Sequence, residues 1–69
     1  MSKRKLKQYC KTYGYTLWEK PLDPAGWRVW TADLYGMLHV QEHMHKNIAY
    51  SNLWKSINES QKGAARRVV

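Results

Sequence analysis

The apolar residues of the first segment, Leu6, Tyr9, Cys10 and Tyr13, stand at i, i+3, i+4 and i+7, the spacing of one helical face. Ser2 suits the N-cap of such a helix, and Gly14 suits the left-handed residue that closes it. After Gly14 the period falls to two. Tyr15, Leu17 and Glu19 alternate with Thr16, Trp18 and Lys20 in a strand pattern that Pro21 ends. Asp23-Pro24-Ala25-Gly26 has the composition of a type I turn. A second strand follows from Trp27 to Ala32, with Trp27, Val29 and Thr31 on one side and Arg28, Trp30 and Ala32 on the other. The short connection makes the two strands antiparallel neighbours.

Asp33-Leu34-Tyr35-Gly36 is the next turn, and a third strand from Met37 to about Gln41 sets Leu38 and Val40 on one face and Met37 and His39 on the other. The stretch from Glu42 to Lys46 has no clear period and is expected as a loop. A second helix repeats the spacing of the first through Tyr50, Leu53, Trp54 and Ile57, with Asn47 or Ser51 available as its cap. Its end is expected near Ser60 to Lys62, before Gly63. Residues 1–62 then form one small domain, and 63–69 form a flexible, basic carboxyl-terminal tail.

Helix, strand, strand, strand, helix is the order of an α+β domain: a three-stranded antiparallel meander with both helices on one face. The expected core takes Leu6, Tyr9, Cys10 and Tyr13 from one helix and Tyr50, Leu53, Trp54 and Ile57 from the other. The sheet adds Leu17, Val29, Leu38 and Val40, with Tyr15 and Trp27. Double-stranded-RNA-binding domains share this order of elements, but their loop His and the Lys-rich start of their second helix are missing here, and no family resemblance is drawn.

Charge changes the picture from fold to partner. The 69 residues hold twelve Lys and Arg against five Asp and Glu, a formal +7. Lys3, Arg4, Lys5, Lys7 and Lys11 crowd the amino end with no acid among them, and Lys46, Lys55, Lys62, Arg66 and Arg67 face only Glu59 at the other end. The segment between is mildly acidic. Lys3, Lys7 and Lys11, four apart, form a basic ridge along the outer side of the first helix, although the cations near its amino end oppose the helix dipole. Two basic ends can merge into one surface, and such a surface most often meets phosphate.

The candidate contacts to nucleic acid fall into two groups. Lys3, Arg4, Lys7 and Lys11, joined by Lys55, Lys62, Arg66 and Arg67, could track a phosphate backbone without reading sequence. Trp18 and Trp30, with Lys20, Arg28 and His39 beside them, would lie on the sheet face away from the helices. Aromatic rings among cations there suit the stacking of single-stranded bases. The same face has two other readings, core if the register is reversed and a dimer interface if it is not. The aromatic content, four Trp and five Tyr, equally suits a module that docks on a larger protein.

Other chemistry is poorly represented. His39, His43 and His45, with Cys10, have ligand chemistry but no spacing that converges them on a metal, so no metal or cofactor is expected. Cys10 lies on an apolar helical face with no base placed to activate it, and no carboxylate pair is evident, so an enzyme is not expected. One Cys and no long apolar run point to a cytoplasmic chain away from membranes. The expected function is binding of DNA or RNA in a regulatory or accessory role. The alternative is a small inhibitor or adaptor for a protein partner, and a homodimer is compatible with either.

Overall fold

The computed structural model describes the backbone of residues 2–67 and the side chains of residues 3–61. Helix α1 spans Ser2–Tyr13, strands β1, β2 and β3 span Leu17–Pro21, Trp27–Ala32 and Leu38–His43, and helix α2 spans Lys46–Arg67. The strands pair antiparallel in the order β1-β2-β3. Both helices lie on one face of this sheet, α1 against α2 and α2 across β2 and β3. The expected α-β-β-β-α meander is therefore the fold. Among the described residues, no helix is long and apolar enough to cross a membrane.

Local chemistry explains most of the boundaries. Gly14 takes φ +72°, and the Tyr15 N–H reaches the Cys10 carbonyl at 2.8 Å, so α1 ends in a Schellman motif. The β1–β2 loop is closed by Leu22 N–H donating to the Gly26 carbonyl at 2.9 Å. Its Asp23–Pro24 bond is cis, which the type I turn reading did not include. The start of α2 departs from expectation: neither Asn47 nor Ser51 caps it. The His45 carbonyl accepts the N–H groups of Ile48 and Ala49 instead, so the helix begins at Lys46.

The α2 backbone also runs past its expected end, through Gly63 to Arg67. One interior Gly costs about 1 kcal/mol relative to Ala, and the Ala64-Ala65-Arg66-Arg67 segment beyond it consists of good helix formers. The expected mobility of the tail falls largely on side chains, and on residues 68–69, that lie outside the described residues.

The core takes Leu6, Tyr9 and Cys10 from α1, Val29 from β2, and Ala49, Tyr50, Leu53 and Ile57 from α2, with Tyr15, Leu17 and Trp54 packed at its margin. Four expected members are absent from it, the first being Trp27, which is half-buried outside the cluster. Tyr13 is 51% exposed, Leu38 61% and Val40 45%.

The last two follow from a register shift of one residue. The β2–β3 connection uses five residues, 33–37, and pairs Ala32 with Leu38. Asp33 draws Met37 into the turn: its N–H donates to the Met37 carbonyl at 2.9 Å, and its Oδ1 accepts the Met37 N–H at 3.0 Å. Because strand side chains alternate, a slip of one residue exchanges the faces. Leu38 and Val40 stand on the open face, and His39 points inward.

Candidate nucleic-acid interface

The four cations expected on the first helix are brought together. Lys3, Arg4, Lys7 and Lys11 line an open groove of about 690 Å³ along α1, completed by Gln8 and by Asn47 and Ser51 from α2. The groove wall thus holds four positive groups, three neutral polar side chains and no carboxylate. Spacing of three and four along α1 puts the cations on adjoining rows, as a phosphate-tracking ridge requires. Lys3 is half-buried, with Nζ 5.3 Å from the centre of the Tyr50 ring, a cation–π contact that fixes this end of the ridge.

Below the ridge, Glu19 ties the sheet to α2. Tyr50 donates its hydroxyl to Glu19 Oε2 at 2.7 Å, and Lys46 Nζ lies 3.4 Å from the same oxygen. The Tyr50 bond, more than the cations Lys46 and Lys3, holds the Glu19 carboxyl below its ordinary range, while burial pushes the Tyr50 phenol upward. Glu19 therefore occupies the nearby Lys46. Lys46 also lies 4.0 Å from the centre of the Trp27 ring.

A second concavity adjoins the first. Arg4, Lys5, Gln8, Tyr9, Thr12, Tyr13 and Trp54 line a cleft of about 670 Å³ whose wall is mainly apolar. Tyr9 is central to it, with ring centroids 5.2 Å from Tyr13 and 5.7 Å from Trp54 in an edge-on arrangement. The Tyr9 hydroxyl turns inward and accepts a bond from Gln61 Nε2 at 2.9 Å. Burial pushes its pKa up to about 12, so the phenol stays protonated near neutrality.

The other expected contacts lie elsewhere. Trp18, Lys20, Arg28 and Trp30 are on the open sheet face, across the sheet from the helices. The two rings lie nearly parallel, 13° apart, with centroids at 6.0 Å. Arg28 is ion-paired with Glu42 on β3, and Leu38 and Val40 line a shallow depression with Arg28 and Trp30. Of the expected cation-and-ring platform, Arg28 is already paired and His39 is absent from this face, where Leu38 and Val40 stand instead. Lys55 is exposed on α2, one turn beyond Ser51. The side chains of Lys62, Arg66 and Arg67 lie outside the described residues.

His39 corrects the expectation most clearly. It is 7% exposed and sits in a buried polar network. Its Nε2 lies 2.8 Å from Asp33 Oδ2 and its Nδ1 2.8 Å from Ser56 Oγ, while Ser60 Oγ donates to Asp33 Oδ2 at 2.9 Å. Burial raises the Asp33 carboxyl, but the bonds from His39, the Met37 N–H, Ser60 and the Tyr35 N–H outweigh it and leave the pKa below 3.8. With Asp33 ionised, Nε2–H is the donor to Oδ2, and Nδ1 shares a hydrogen bond with the Ser56 hydroxyl. Asp33 and His39 are enclosed between the β2–β3 turn, β3 and α2, and Ser56 and Ser60 close the network at its half-buried edge. The network acts as a clamp.

His43 and His45 remain near one another, with ring centroids 5.7 Å apart, and Cys10 is buried with its sulfur 3.5 Å from Thr31 Oγ1. The possible ligand set His39, His43, His45 and Cys10 is dispersed over different environments. Among the described residues, no three His, Cys, Asp or Glu side chains gather around a common point.

Comparisons with protein-family models, curated proteins and solved structures find no match to this chain.

Proposed function

We propose that this protein binds nucleic acid through its phosphates, using the α1 groove, and serves a regulatory or accessory role without a chemical step. The observation that carries this reading is the groove wall: Lys3, Arg4, Lys7 and Lys11 with Gln8, Asn47 and Ser51, and no carboxylate among them. A row of cations attracts a polyanion, and neutral amides and hydroxyls can donate to phosphate oxygens. Lys3 and Arg4 also lie in the first turn of α1, where the helix dipole favours an anion. The dipole that makes these cations unfavourable in the free chain thus cooperates with them once phosphate is present.

A protein partner on the open sheet face is the second reading. It is favoured by the exposure of Leu38 and Val40 beside Trp18 and Trp30, an apolar patch more typical of protein contacts than of phosphate contacts. The paired Arg28 and Glu42 leave that face less attractive to a polyanion than the groove.

Fluorescence anisotropy with labelled single-stranded and duplex DNA and RNA, repeated over about 50 to 200 mM salt, tests the first reading. Binding that weakens steeply with salt is expected. Absence of binding to all four at the lowest salt would refute it and direct attention to the sheet face.

A further inference from the structure

We propose that the aromatic cleft beside the basic groove receives an unpaired nucleobase, so that the protein prefers strands with accessible bases to fully paired duplex. The proposal rests on the phosphate-binding reading and adds to it a second, chemically different subsite. Two placements support it. Tyr13 occupies a helical position whose spacing marks it for the core, yet it is 51% exposed and lines the cleft with Tyr9 and Trp54, its ring 5.2 Å from that of Tyr9. Arg4 and Gln8 line both the cleft and the groove, so the two concavities form one continuous surface across α1.

The chemistry of this surface matches a nucleotide in two parts. A base is planar and apolar on its faces, with donors and acceptors around its edge. Aromatic walls suit the faces, and Gln8, whose amide both donates and accepts, suits the edge. Its phosphate carries the negative charge that Arg4 and the lysines of the groove would meet. No carboxylate lines either concavity. Within a duplex the bases are stacked and paired, and extruding one costs a few kcal/mol, so the cleft favours bases that are already free. The open sheet face is a poorer base site: Trp18 and Trp30 lie nearly parallel against each other, Leu38 and Val40 lie beside Trp30, and the neighbouring Arg28 is already paired with Glu42.

The test compares a short thymidine strand with an abasic strand of the same length and charge, using wild-type protein, Tyr13→Ala and Tyr13→Phe at one low salt concentration. Wild type is expected to prefer the thymidine strand roughly 5- to 150-fold, the range that stacking of one base confers. Tyr13→Ala should lower this preference several-fold while leaving abasic-strand affinity unchanged, and Tyr13→Phe should retain it. Thermal melts of the two variants check that the fold persists, as expected for a half-exposed side chain. Equal wild-type affinity for both strands would overturn the base subsite and leave phosphate binding intact. Absence of binding to either strand would overturn both.

Discussion

The two faces of the sheet are built in opposite ways. On the covered face, polar Thr31, Asp33 and His39 are enclosed and every buried side-chain polar atom among the described residues has a hydrogen-bond partner. On the open face, Trp18, Leu38 and Val40 meet water. Full burial of a Leu or Val is worth about 1.5–3 kcal/mol, so this arrangement forgoes apolar stabilisation that the reversed register of β3 would supply. The difference teaches that a specific polar clamp, rather than hydropathy, sets the position of β3. It also divides the exposed surfaces by chemistry: a row of cations lines the α1 groove, and the open sheet is apolar at its centre with Arg28 and Glu42 paired.

Breaking the clamp should have the largest effect. Asp33→Ala would leave His39 Nε2–H, Ser60 and two turn N–H groups without their acceptor, and is expected to cost about 3–5 kcal/mol, measured by urea unfolding. For a domain this small that is a large share of total stability. The Asp33 pKa is lowered by folding, so its contribution is complete above the unfolded value near 3.9 and declines as pH falls through the lower folded value. Wild-type stability should therefore fall below about pH 4, and Asp33→Ala should show a shallower fall over that window.

The open face should behave in the opposite manner. Leu38→Thr combined with Val40→Thr keeps a strand-compatible surface and removes little buried area, so a change of less than about 1 kcal/mol is expected in the same unfolding assay. Nucleic-acid affinity should be unaltered. A larger loss of stability would mean that Leu38 and Val40 are covered in solution, by a second copy or by another element, and would erase the contrast between the faces.

How much of this was legible in the sequence differs by element. Helical spacing located α1 and the start of the α2 face, alternation located β2 with the bounds Trp27–Ala32, and Gly14 marked the end of α1. The third strand was legible as a strand but its facing was not, because its register depends on the Asp33 side chain holding Met37 in the turn, a contact that apolar patterning does not encode. The partners of His39 and Thr31 were hidden for the same reason, since they lie far off in sequence, on α2 and at the Thr16 carbonyl. The basic groove was legible as lysines four apart, whereas its neutral wall, Asn47 and Ser51, required the packing of α2. The aromatic cleft was concealed by its own periodicity. Tyr9, Tyr13 and Trp54 fit a core pattern, and only the geometry distinguishes the buried ring of Tyr9 from the exposed ring of Tyr13.

The most direct test compares charge reversals on the two faces by the salt dependence of single-strand binding. Lys7→Glu with Lys11→Glu should weaken binding and reduce the slope of log affinity against log salt by about 1 for each phosphate that is no longer neutralised, whereas Lys20→Glu on the open face should leave the slope close to wild type. The opposite pattern, a slope unaffected by the α1 reversals and reduced by Lys20→Glu, would contradict the assignment of phosphate binding to the α1 groove.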